Sequence, residues 1–307
     1  MNDLPDTEKT NPDSAGLDGK TPLEVVELML SQEKRVPDIV LGAAEEIAKT
    51  AGWAAEAIEA GGRLIYVGAG TSGRLAVLDA AECPPTFSSE PGQVTGIIAG
   101  GGGAVITAVE NAEDHAHAGA DSIRTEMVRK TDVVVGITAG GTAQFVIGAL
   151  EESRRRGAKT VLVTMTENAT AAEFADLVIA VVTGPEVIVG STRLKAGTAT
   201  KLILNAISTA CMVALGKVYG NQMVELRPQS TKLKARAERV LAAVTEIPLE
   251  KARTILLGVN YNLKVAIVMK KCGIGPESAA ARLAACKGIL RRALSSDWGL
   301  AEEKDEV

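Results

Sequence analysis

Leu64-Ile65-Tyr66-Val67-Gly68-Ala69-Gly70-Thr71-Ser72-Gly73-Arg74 decides how this chain folds. Four apolar residues make a buried strand, a glycine-rich run turns the chain, and a helical pattern resumes at Leu75 and Leu78. A strand that turns into a helix in this way aims backbone N–H groups and the positive end of the helix dipole at one point, which is an anion site. The spacing also matches GxGxxG. A dinucleotide, however, asks for an acidic residue about 20 residues on, at the end of the second strand. Here that strand ends Ile97-Ile98-Ala99-Gly100. Thr71 and Ser72 add two hydroxyl donors that suit a terminal phosphate. Gly70, Thr71, Ser72, Gly73 and Arg74 are therefore read as a phosphomonoester site, with a dinucleotide or a purely structural turn as the alternatives.

Working outward, β-branched runs recur at Leu64 to Val67, Val94 to Ile98, Val133 to Ile137, Thr160 to Thr164 and Leu177 to Val182, with helical stretches between. Continuous apolar runs joined by helical crossovers predict an α/β fold: a five-stranded parallel sheet covered on both faces. Ligands in such sheets sit at the carboxyl ends of the strands. Helices are expected from Pro22, from Pro37 to Ala60 with Gly61-Gly62 as the stop, and from about Thr192 to Val218. Residues 1–20, rich in Asp, Pro and Gly, read as an extended or disordered arm. Residues 21–230 form the main domain with its N-terminal helices. Residues 231–307 form a charged connector and a small helical tail, too small for a rich core of its own and expected to dock on the main domain.

Two further loops resemble the first. Thr138, Gly140, Gly141 and Thr142 follow the third strand. The stretch from Gly184 to Lys195 carries Glu186, Ser191, Thr192, Arg193 and Lys195. Ser191 or Thr192 reads equally as a helix cap. Arg193 and Lys195, in a first helical turn, oppose the dipole, so a nearby anion is expected to explain them. Two carboxylates complete the inventory. Leu75, Leu78 and Glu82 share a helix face, which makes Glu82 a candidate general acid of raised pKa, with a solvent-facing glutamate at a helix end closed by Cys83-Pro84-Pro85 as the even alternative. Glu113 stands in an acidic run, where a solvated face is the default.

The 307 residues carry 46% apolar side chains, only 3% aromatics and a net charge of -5. No basic stripe dominates, so nucleic acid is excluded as the main ligand. Pro91 to Val109 and Val133 to Leu150 approach the ~18 residues of a membrane span, but glycine and threonine clusters break both. No signal-peptide pattern opens the chain. Cys83, Cys211, Cys272 and Cys286 form no CxxC pair, and His115 and His117 make no zinc site alone with those spacings. The expectation is a cytoplasmic protein with reduced thiols, no membrane partner and no metal.

GRLIYVGAGTSGRLAVLDAAECPPTF at 62–87, AVENAED at 108–114, the stretch 184–210, GKVYGN at 216–221 and TEKTNP at 7–12 together resemble the N-acetylmuramic acid 6-phosphate etherases over nearly the whole chain. The resemblance implies a sugar isomerase (SIS) domain, a three-layer α-β-α sandwich that usually dimerises, bearing a small C-terminal helical domain. It implies cleavage of the lactyl ether to N-acetylglucosamine 6-phosphate and D-lactate, with Glu82 resembling the family's proton donor and Glu113 its second catalytic glutamate. A carboxylate removes the proton at carbon 2 of the open-chain sugar, an acid protonates the departing ether oxygen, and water adds to the unsaturated aldehyde. That chemistry takes one acid, one base and a phosphate anchor, and no cofactor. Glu82 is assigned as acid and Glu113 as base, the pair more firmly than the order. A non-catalytic sugar-phosphate sensor is the alternative reading.

The sequence departs from the family at one loop. Where the family reads close to AASGRTPYV, Gly140 replaces the serine, Thr142 the arginine and Ala143 the threonine. Each lost hydrogen bond to a charged group is expected to remove ~1.5–3 kcal/mol. The run Gly100 to Gly103 is a smaller departure, since the family carries larger residues at its last two positions.

Overall fold

In the computed structural model, residues 5–226 and 230–295 are described. Parts of the expected arm (1–4), connector (227–229) and tail (296–307) lie outside them. The chain runs through α1 (Pro22–Glu33), α2 (Val36–Leu41) and α3 (Ala44–Glu59) into β1 (Leu64–Gly68), α4 (Gly70–Phe87) and β2 (Val94–Ile98). It continues with α5 (Ala116–Thr125), β3 (Val133–Ile137), α6 (Gln144–Arg155), β4 (Lys159–Thr164), β5 (Leu177–Ala180) and α7 (Lys195–Ala214).

The sheet is parallel throughout, in the order β2-β1-β3-β4-β5. Leu64 pairs with Val94 on one side and Val133 on the other, so β1 is an interior strand and the strand order reverses around it. The alternation of side chains along each strand divides the core in two. Ile65, Val67, Val134 and Leu162 pack with Ile123 of α5 and with Phe145, Val146 and Leu150 of α6. On the opposite face, the Tyr66 hydroxyl donates to the Leu204 carbonyl of α7 at 3.5 Å. The predicted three layers are therefore present. In length and composition α7 would cross a membrane, but Ala199, Ile203, Leu204, Ile207 and Cys211 are at most 1% exposed, as in a core helix.

Several expectations needed correction. The helix predicted from 37 to 60 is two helices, because the chain turns at Gly42-Ala43. Pro84 and Pro85 do not end α4; the helical pattern runs on to Phe87, and the Ser88 N–H still reaches the Pro84 carbonyl at 2.9 Å. Residues 5–20 are not extended. They form three 3₁₀ turns, at Asp6–Glu8, Pro12–Ser14 and Leu17–Gly19, in which Thr7 and Asn11 are buried.

The chain divides into two compact units: residues up to Glu82 with Pro91–Cys211, and Cys83–Glu90 with the residues from Met212 on. The second holds the hairpin β6 (Val218–Tyr219) and β7 (Gln222–Met223), then α8 (Thr231–Thr245), α9 (Leu249–Gly258), α10 (Leu263–Cys272), α11 (Pro276–Ala285) and α12 (Leu290–Ala293). It starts well before the charged connector and does have its own core. Ala237, Leu241, Leu256, Ala266, Ile267 and Val268 are completely buried, with Tyr219 and Met223 of the hairpin packed on them. Small alanines such as Ala237, Ala252, Ala266 and Ala279 let these short helices approach closely.

Candidate active site

The reversal of strand order around β1 opens a crevice at the carboxyl ends of β1 and β3, where α/β sheets take their ligands. A cleft of about 420 Å³ lies there. The first loop contributes Gly70, Thr71, Ser72 and Arg74, the second Thr138, Gly140 and Thr142, and the third Thr192. Glu113 and Asp114 close one side. Five threonine or serine hydroxyls from the three loops, the start of α4 and one guanidinium thus surround a volume the size of a small phosphorylated sugar. Arg74 is itself fixed, its Nε donating to the Val105 carbonyl at 3.2 Å.

The tight first turn depends on glycine at its far end. A Cβ on Gly73 would stand 2.6 Å from the Gly68 carbonyl oxygen and 2.5 Å from the Ile98 side chain. Gly73 is therefore structural, letting α4 begin hard against β1. Gly141 does the same for the second loop. It has φ +75°, and a Cβ there would lie 2.4 Å from Ala169 Cβ. Neither residue lines the cleft. Gly140 differs: its nearest neighbours, Thr142 Oγ1 and Thr7 Oγ1, are 3.8 and 4.0 Å from a Cβ.

Of the third loop, only Thr192 among the predicted residues reaches the cleft; Ser191 is half-buried beside it and Arg193 is exposed. Glu186 and Lys195 do something else. Glu186 is wholly buried and accepts the N–H groups of Lys195 at 3.1 Å and Ala196 at 3.0 Å, so a carboxylate of the chain itself meets the start of α7. Lys195 Nζ donates to the Pro185 carbonyl at 2.7 Å and to Gln32 Oε1 at 3.2 Å. Gln32 in turn donates to Asp13, and Asn11 donates to Pro185. Burial pushes the Glu186 carboxyl up, against the pull of those two N–H groups and of Lys195. Burial likewise pushes the Lys195 amine down, against Glu186 and Glu33. The anion expected near Lys195 is thus the protein's own Glu186, and the pair ties the N-terminal arm to α1 and α7.

Glu82 is not in this cleft. It follows Gly70 by twelve residues along α4, about 18 Å at 1.5 Å per residue. It is exposed, as is Leu78 at 51%, so the face read as an apolar stripe is open in the single chain. One turn earlier on the same helix, sequence reasoning missed Asp79. This aspartate is buried and accepts from Asn205 at 2.6 Å and Ser208 at 3.1 Å. Burial raises its pKa, the two hydrogen bonds opposing. Sequence reading also missed Thr7 and Glu8, which line the cleft from the arm. A second hollow of about 730 Å³ lies beside β2 and α5, lined by Gly100 to Gly102, His117 and Phe145. It takes in most of the glycine run and none of the three loops' hydroxyls.

A model of the SIS domain matches residues 110–210, and one of the glucokinase regulatory protein N-terminal SIS domain matches residues 46–154. Among solved structures, a phosphoheptose isomerase from Neisseria gonorrhoeae shares the fold at TM-score 0.50 and 20% identity, over 63% of this chain and all of that one. Much closer in sequence are curated proteins named N-acetylmuramic acid 6-phosphate etherase. That of Gloeobacter violaceus is 49% identical over 94% of both chains. That of Synechocystis is 46% identical over 94% of this chain and 95% of its own. That of Cutibacterium acnes is 46% identical over 97% of this chain and 98% of its own. Identity at this level along nearly the full length places the chain in the N-acetylmuramic acid 6-phosphate etherase family.

Proposed function

We propose that this protein cleaves the D-lactyl ether of N-acetylmuramic acid 6-phosphate, as a cytoplasmic homodimer, giving N-acetylglucosamine 6-phosphate and D-lactate. The observation that carries the reading is the cleft, where hydroxyls and the start of α4 face the carboxylate of Glu113. The first group suits a phosphate and the second suits proton transfer. Glu113 takes the proton from carbon 2, Glu82 protonates the ether oxygen as it leaves, and water then adds to the unsaturated aldehyde. Each such group contributes ~10²–10⁴-fold.

Because Glu82 lies beyond its own cleft, it serves the cleft of the other subunit. Two features support a second copy of the chain. Leu78, one turn before Glu82, is exposed, and Leu23, Val26 and Leu30 form an exposed apolar stripe along α1. Incubation with the substrate should release D-lactate, and Glu82→Gln or Glu113→Gln alone should abolish most of it. Mixing the two variants and allowing subunits to exchange should then recover about a quarter of wild-type activity, because each mixed C2 dimer has one intact shared site. No recovery would mean that the two glutamates do not act across subunits. The match of residues 46–154 to a domain of a regulatory protein favours a sensor as the second reading. Tight binding of the substrate without lactate release would select it.

A further inference from the structure

Thr7 is 1% exposed and lines the cleft, and its hydroxyl has no hydrogen-bond partner among the described residues. Buried hydroxyls left without a partner are uncommon and unfavourable. The residue is nevertheless firmly placed. Its carbonyl accepts the Gly190 N–H at 3.2 Å, and Asn11 anchors the same arm to Pro185 at 3.1 Å. The space this hydroxyl overlooks is the one beside Gly140, where a Cβ would stand 4.0 Å from Thr7 Oγ1 and 3.8 Å from Thr142 Oγ1. A Cβ would meet nothing closer than those two hydroxyls; this chain has glycine there, and the arm brings a hydroxyl to the gap from 133 positions away in sequence.

We infer that Thr7 is a substrate-binding residue whose Oγ1 donates to a phosphate oxygen of the bound phosphosugar, supplying the hydroxyl that Gly140 lacks. The inference rests on the cleft being the sugar-phosphate site. It makes the N-terminal arm part of the binding machinery. Thr7 faces the second loop, while the carboxylate of Glu8 lies against Gly190 of the third, 3.1 Å from where a Cβ would be.

The test uses the full-length protein, titrated calorimetrically with N-acetylglucosamine 6-phosphate and, in parallel, with N-acetylglucosamine. Thr7→Val keeps the shape and the backbone bond to Gly190 but removes the donor. It should bind the phosphorylated sugar about ten- to a hundredfold more weakly, the range for one hydrogen bond to a charged group. It should raise KM for lactate release with little change in kcat. Thr7→Ser should bind as wild type does. Adding Gly140→Ser to Thr7→Val should restore most of the affinity, since a Cβ at 140 meets no atom closer than 3.8 Å. Thr7→Ala guards against misfolding of the valine variant and should show the same loss. Unchanged affinity in Thr7→Val and Thr7→Ala, or an equal loss in Thr7→Ser, would overturn the assignment. Wild-type protein that binds neither sugar and releases no lactate would overturn the reading of the cleft itself, and Thr7's role with it.

Discussion

Lys195 illustrates how a charge at a helix start can be read two ways. Its amine holds Pro185 and Gln32 while Glu186 meets the backbone beneath it. Lys195→Met should therefore lower the melting temperature, leaving a buried carbonyl and a buried carboxylate without their cation, a loss of about 1–3 kcal/mol or more. Affinity for N-acetylglucosamine 6-phosphate in the folded variant should stay within about twofold, well short of the tenfold that 1.4 kcal/mol represents. A selective loss of affinity would return Lys195 to the cleft. From sequence alone the two cases look identical, since a cation in a first turn signals an anion without saying whose. The strand, turn and helix of residues 64–74 were legible because they constrain one another over eleven residues. Thr7 was not, because the composition around it is that of a disordered arm and its partners lie more than 130 residues away.

At the scale of elements, Glu152 fastens α5 to α6. It is 4% exposed and meets Arg155 through two hydrogen bonds at 2.7 and 2.8 Å, Arg156 at 2.8 Å and Arg124 of α5 at 3.4 Å. The hydrogen bonds from Arg155, with help from Arg156 and Arg124, hold its carboxyl down at about 2 against an ordinary 4.5. A depressed carboxyl stabilises the fold fully above its unfolded value and loses that contribution as pH falls toward the folded one. Stability from this residue should accordingly shrink between about pH 4.5 and 2. Glu152→Gln should lower the urea midpoint at neutral pH and flatten its fall over that acid range; parallel slopes for the two proteins would refute the linkage. The sheet itself was legible because each strand is a short run rich in Val, Ile and Leu between helical stretches. The extension of α4 through Pro84 and Pro85 was not, as proline removes an N–H and normally argues for a stop.

At the scale of the whole molecule, the proposed dimer gives Leu23, Val26 and Leu30 a purpose that a single chain does not. Leu30 is 59% exposed on α1. Leu30→Glu should shift the protein to monomers in light scattering and, with each cleft deprived of its partner's Glu82, reduce lactate release by at least tenfold. A dimer that survives with full activity would place the shared site elsewhere. No pattern within one chain reveals such a site, because spacing along a helix says which face a residue occupies and nothing about what faces it across a symmetry axis. The small helical domain was legible as helices, but its own core was not, because α8, α9, α11 and α12 each contribute only two or three leucines, valines or alanines to it and show a weak apolar face alone.

The bond from Gly190 to the Thr7 carbonyl has a consequence for how the protein is made. It joins positions 183 residues apart, so at ~5–20 residues per second the arm waits roughly 10–40 s on the ribosome for its partner to be synthesised. During that interval β1 emerges before either of its neighbours, and the sheet gathers around it from strands that arrive later. The arm is thus made well before its place exists, and the wall it contributes to the cleft is completed only after the third loop has emerged.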